Sequence, residues 1–156
     1  MSETDRDPHK LYVARLKYIG RCLGFETRGL QTDIGTLDCV WRYKESTKFL
    51  RSKKPDDVEI DYFMYGLPMV AFEVIFSERI KMLRGSILNM ISAKPSLAIF
   101  VFLRRAREKE YPDEDVDLTE RNIEKLCQEF AGFLRTRIWH EEDVDELYDK
   151  LVKEAS

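Results

Sequence analysis

Between Leu67 and Ser77 the chain reads Leu-Pro-Met-Val-Ala-Phe-Glu-Val-Ile-Phe-Ser, an apolar, β-prone run with a single carboxylate, Glu73, at its centre. Strand side chains alternate with period two, so Val70, Phe72, Val74 and Phe76 fall on one side and Ala71, Glu73 and Ile75 on the other. An ionised carboxylate in such surroundings is costly unless it is paired, hydrogen-bonded or bound to a metal, which makes Glu73 the first candidate for chemistry. Ser77 is placed to cap a helix from Glu78 to about Lys94, with Ile80, Leu83, Ile87, Met90 and Ile91 as its apolar stripe. Gly85, inside that helix, suggests close approach of another backbone or a ligand, or crowded packing on the sheet. A second apolar strand, Ser96 to Leu103, follows. Strand, helix, strand is a parallel crossover, and ligands of such folds collect where strands end and helices begin.

The same pattern rules organise the flanks. Tyr12, Leu16, Ile19 and Leu23 recur at helical steps and predict a helix over His9 to Leu23, stopped by Gly24; Phe25 to Arg28 starts a strand. Thr36 to Tyr43 alternates as a second strand, Leu37, Cys39 and Trp41 against Asp38, Val40 and Arg42. Glu45 to Asp57 reads as a long loop or short helix between strands, Val58 to Tyr65 as an extra strand or extended lead-in, and Gly66-Leu-Pro68 as a turn. Arg104 to Val116, charged and containing Pro112, reads as a loop. Asp117-Leu-Thr-Glu120 has capping-box spacing for a helix that buries Ile123, Leu126, Phe130, Phe133 and Leu134. Thr136 to Trp139 is a short edge strand, and Glu141 to Lys153 a last helix resting on Val144, Leu147, Tyr148 and Leu151.

Composition bounds what this α/β layout can be. With 156 residues, 44% hydrophobic and 35% charged, it fits one domain with a core of its own, neither disordered nor membrane-embedded. The polar start lacks the look of a signal peptide, and no apolar run approaches the ~18 residues of a membrane span. Three scattered cysteines, without a C-x-x-C pair, suggest neither disulfide framework nor zinc ribbon and fit a reducing cytoplasm. His9 and His140, at opposite ends of the chain, give no metal spacing. Net charge is −3, but Arg42, Lys44, Lys48, Arg51, Lys53 and Lys54 crowd one stretch, Arg79, Lys81 and Arg84 another, and acids gather towards the C-terminus. One basic face and one acidic end suit a nucleic-acid partner. No serine sits in a nucleophile elbow and the glycines form no phosphate loop, which argues against serine hydrolase, P-loop and dinucleotide-binding chemistry.

The element order, an Asp opening one strand (Gly35-Thr-Leu-Asp-Cys-Val-Trp41) and a Glu within the next (Val70-Ala-Phe-Glu-Val74), resembles the restriction-endonuclease-like PD-(D/E)XK nuclease superfamily. Leu67-Pro-Met-Val-Ala-Phe-Glu-Val with Ile80-Lys-Met-Leu-Arg-Gly-Ser-Ile-Leu-Asn89 is similar to an uncharacterised subgroup with that fold. The resemblance implies a single domain with a mixed β-sheet flanked by helices. It also implies Asp38 and Glu73 as ligands of one Mg²⁺ or Mn²⁺, with the metal activating water for phosphodiester hydrolysis. Active members carry a lysine two residues after the Glu; here that position is Ile75, which can neither orient nor deprotonate water.

Four residues are candidates to make good that loss: Lys81 or Arg84 from the following helix, Lys44 from the strand of Asp38, and Glu26 as a further ligand. Asp61 rivals Asp38 as the partner of Glu73. The catalytic set under this reading is Asp38, Glu73 and Lys81, with Lys44, Lys48, Arg51, Lys53, Lys54 and Arg84 on nucleic acid. Two functions follow: a nuclease-fold DNA-binding protein with a weakened or rearranged metal-dependent endonuclease site, or an inactive nuclease-fold scaffold for protein contacts such as those of a homodimer.

Overall fold

A computed structural model describes residues 7–27, 35–43 and 68–156. The chain forms α1 (Pro8–Cys22), β1 (Phe25–Glu26), β2 (Cys39–Tyr43), β3 (Val70–Ile75), α2 (Ile80–Ala93), β4 (Leu97–Phe102), α3 (Arg104–Glu110), α4 (Val116–Glu129), β5 (Thr136–His140) and α5 (Glu141–Ala155). The strands make one mixed sheet in the order β1-β2-β3-β4-β5. The pairs β1–β2 and β2–β3 are antiparallel, whereas β3–β4 and β4–β5 are parallel. Each parallel pair is joined by helices, as a crossover requires. No helix among the described residues is long and apolar enough to cross a membrane.

Strand alternation builds two cores. Phe72 and Val74 join Cys39, Trp41, Ile99 and Val101 under Leu16 and Ile19 of α1 and Val144 of α5. Ala71 and Ile75 join Val40, Phe100 and Phe102 under Leu83, Ile87 and Met90 of α2 and Ile123 and Leu126 of α4. The sheet is therefore sandwiched between two helical layers, with Glu73 on the α2 and α4 side by strand parity.

α1 sits very close to the sheet. A Cβ at Gly20 would collide with the Trp41 ring and with Thr27, and Trp41 donates its indole N–H to the Leu16 carbonyl at 3.0 Å. α1 also meets α5: Tyr12 donates to Asp145 at 3.0 Å, Arg15 pairs with the same carboxylate, and the Tyr18 and Tyr148 rings lie 5.1 Å apart. Gly24 ends the helix at a φ of 86°, where a side chain would be strained.

Several expectations are corrected. α2 starts at Ile80 behind Arg79, with no side-chain cap from Ser77. Gly85 has nothing among the described residues within 4 Å of a Cβ placed there, so neither crowded packing on the sheet nor a described neighbouring backbone explains it. The charged stretch from Arg104 contains the helix α3, whose Ala106 N–H donates to the buried Glu141 carboxylate at 3.0 Å. α4 begins two residues before the expected box, capped by Asp115 accepting from Leu118 N–H. Phe133 lies beyond that helix and is 77% exposed. Leu37 packs with the α2 core rather than beside Cys39, because the chain bends at Asp38 before β2 begins. Glu45 to Asp57, Val58 to Tyr65 and most of the turn before Pro68 lie outside the described residues.

Candidate metal and proton site

Antiparallel pairing places the start of β2 against the end of β3. Cys39 pairs with Phe72, so one further step brings Asp38 level with Glu73. The bend at Asp38 turns its carboxylate towards β3, and Oδ2 accepts the Val74 N–H at 2.8 Å. From the other direction α1 delivers His9, whose Nε2 lies 3.1 Å from the same oxygen. Asp7 fixes that end of α1 by accepting from His9 N–H at 3.0 Å.

The two carboxyl groups hydrogen-bond to each other and differ sharply in acidity. Burial, then the charge of Asp38, pushes Glu73 from an ordinary 4.5 up to about 10, with the Asp38 hydrogen bond and the charge of Glu78 adding to the rise. Asp38 is pushed up by burial, but the bonds from His9 and Val74 N–H outweigh this and hold it below its ordinary range. Around neutral pH the pair therefore holds one proton, on Glu73, which donates to an ionised Asp38. His9 is correspondingly drawn upward, chiefly by its bond to Asp38. Glu78 stands behind this group, its Oε2 accepting the Phe76 N–H at 2.7 Å.

The other sequence candidates are placed differently. Lys81 is exposed in the first turn of α2, and the charged groups that shift Glu73 are both acids, Asp38 and Glu78. Arg84 is engaged by Glu129 of α4 through bonds of 2.9 and 3.1 Å. Glu26 sits opposite Arg42, at the end of β2 remote from Asp38. Lys44, Lys48, Arg51, Lys53, Lys54 and Asp61 lie outside the described residues. Ile75 is 1% exposed, so the position two residues after Glu73 is filled by a core side chain. Sequence spacing missed His9: 29 residues separate it from Asp38, and only the packing of α1 on the sheet joins them.

The donor set can be weighed against a divalent cation. Asp38 and Glu73 would match the one or two protein carboxylates that Mg²⁺ characteristically takes while keeping several waters, once Glu73 had lost its proton. Among the described residues no three or more His, Cys, Asp or Glu are arranged to hold a metal ion, so the two carboxyl groups would have to be completed by water. His9 and Glu78 also border a cavity of about 760 Å³ with Phe76 and Ser77, which neither Asp38 nor Glu73 lines. Compared with protein-family models, curated proteins and solved structures, the chain matches none.

Proposed function

We propose that this chain is a restriction-endonuclease-like, nucleic-acid-binding protein in which Asp38 and Glu73 hold one Mg²⁺ or Mn²⁺ ion, and that phosphodiester cleavage at this site is slow. The observation that carries the reading is the Asp38–Glu73 pair at the β2–β3 junction, with Glu73 pushed up to about 10 and only acids acting on it. Two carboxyl groups this close cannot both ionise without a counter-charge, so the site takes up a proton or, where one is offered, a cation. The helix, three strands, helix, strand order on a mixed sheet supports this reading.

A divalent ion bound there would supply an acidic water and charge stabilisation at a phosphodiester. The protein's own groups have separate tasks. Asp38 is already ionised, with its Oδ2 oriented by Val74 N–H and His9. Glu73 must give up its proton to become a second ligand, so loading releases a proton. Ile75 contributes no proton transfer, and a missing general base typically costs ~10²- to 10⁴-fold in rate.

Titration calorimetry with Mn²⁺ tests the reading. Asp38→Asn and Glu73→Gln should each abolish the binding measured for the wild type while leaving the fold, judged by circular dichroism, intact. Binding unchanged in both variants would refute it. A non-catalytic scaffold is the second reading, favoured by the burial of Ile75; it requires that the wild type bind no divalent ion.

A further inference from the structure

β5 ends one side of the sheet: it pairs with β4 and, among the described residues, with no other strand. Ala98 N–H donates to the Arg135 carbonyl at 2.9 Å, and in a parallel ladder alternate residues serve the same neighbour. Arg135, Arg137 and Trp139 therefore bond to β4, whereas Thr136, Ile138 and His140 turn their backbone groups outward. Two of those outward groups are engaged locally: the Thr136 carbonyl accepts from the Arg137 guanidinium at 2.9 Å, and His140 N–H donates to Asp143 at 2.7 Å. Thr136 N–H and both backbone groups of Ile138 have no partner among the described residues.

The side chains at this edge are cationic and uncommitted. Arg135 and Arg137 are exposed, lie one strand period apart, and have no ion-pair partner among the described residues, whereas Arg84, Arg104, Arg105 and Arg107 are each held by carboxylates. Beside them opens a hollow of about 350 Å³ whose walls are Cys127, Ala131 and Leu134 together with the two arginines, and no acid is among its described lining residues. Glu129 is taken by Arg84, and Glu124 lies a turn back on α4. Unpaired N–H and C=O groups at ladder spacing call for a partner that donates and accepts along a line, which another extended polypeptide does and a nucleic-acid backbone does not. A second copy of this chain fits less well. Twofold pairing about Ile138 needs the Thr136 carbonyl and the His140 N–H, both engaged, and pairing about Thr136 sets Arg135 against Arg137.

We propose that the open edge of β5 takes up an extended acidic segment of a protein partner as one more strand, with carboxylates at alternate positions on Arg135 and Arg137 and the apolar side chain between them in the hollow over Cys127 and Leu134. This edge is two strands away from β3, and the proposal does not rest on the metal-site reading.

Fluorescence anisotropy on the full chain, with the labelled peptide Gly-Thr-Asp-Val-Asp-Val-Thr-Gly as probe, tests it. The wild type should bind this peptide, and should bind neither its counterpart with Asn for Asp nor the acidic peptide N-methylated along its backbone, which cannot extend a ladder. Arg135→Glu combined with Arg137→Glu should weaken the acidic peptide about tenfold, the scale of two exposed ion pairs lost, and should create binding of the peptide with Lys for Asp. No binding of the acidic peptide, equal binding of its Asn counterpart, or binding that survives N-methylation or the double charge reversal overturns the proposal. Displacement of the acidic peptide by oligothymidylate would also overturn it, by making the edge a general anion site. A wild-type dimer in sedimentation, dissolved by the double reversal, would overturn it in favour of a second copy of this chain.

Discussion

Glu73→Gln separates the acidity of the site from its packing. Gln has the shape of a protonated Glu and can still donate to Asp38, but it does not titrate. Glu73 moves from an ordinary 4.5 to about 10 on folding, so between those values the native state binds more protons than the unfolded chain. Its stability contribution is therefore complete below pH 4.5 and declines as pH rises towards 10. Each pH unit in that window is worth ~1.4 kcal/mol, which makes the wild type about 3 kcal/mol less stable at pH 7 than it would be with a non-titrating isostere. Asp38 is shifted downward, gains its stabilisation above its ordinary range and loses it at lower pH, so it does not titrate in this window. Urea unfolding followed by tryptophan fluorescence at pH 5 and pH 7 should show Glu73→Gln close to wild type at the lower pH and more stable at the higher. With m-values of ~1–3 kcal/mol/M the midpoint difference should reach about 1 M or more. A difference between the two proteins that does not change with pH would refute the shared-proton account.

Arg107→Met should destabilise by about 3 kcal/mol, since Arg107 donates to the Phe76 and Glu78 carbonyls at 3.0 Å each and is 6% exposed; thermal melting would show it, and an unchanged midpoint would contradict it. Gly20→Ala drives a methyl group into Trp41 and Thr27, for an expected loss of about 1–3 kcal/mol by denaturant titration, with a shift in Trp41 emission. His9→Ala should cost about 1 kcal/mol at pH 6, because a partly exposed ion pair is worth no more. His9 is shifted upward, so that loss should shrink as pH rises past 7; a constant difference from pH 6 to 9 would count against the His9–Asp38 contact. Ile75→Lys puts an amine into a site 1% exposed; it should lower the melting temperature while raising Mn²⁺-dependent cleavage, and cleavage no higher than wild type would mean the vacancy of the lysine position is not what limits the rate.

The segments that could be read from sequence are those in which burial imposes a period. The two sides of β3 divide as alternation requires, Phe72 and Val74 into one core and Ala71 and Ile75 into the other. Leu83, Ile87 and Met90 of α2 are buried as their spacing suggests. α3 escaped because it carries no apolar stripe: its inward residue is Arg107, and its N-terminal N–H is satisfied by a carboxylate 35 residues away. Leu37 was assigned to the wrong core because alternation cannot register a bend at Asp38. Gly85 drew attention through its place in a helix, whereas the glycine that matters for packing is Gly20, and only the Trp41 ring above it makes that visible. The candidate site was half legible. Asp38 and Glu73 stand out locally as acids on apolar strands, while His9 joins them through tertiary packing, which leaves no trace in spacing.

The ties between α1 and α5 bear on when the site comes into being. Tyr12 and Arg15 reach Asp145 across about 130 residues, and His9 belongs to the helix that those ties hold down. A chain leaving the ribosome exposes β2, β3 and α2 long before α5 is available, and long-range closures of this kind form late. α1 also packs on β1, β2 and β3, with Gly20 against Trp41, so His9 can reach Asp38 once these early segments fold, and α5 then adds a clamp on the outer side of α1 through Asp145. The site is therefore assembled from segments made early, and the long-range ties of Tyr12 and Arg15 to Asp145 act as a latch on a helix already in place.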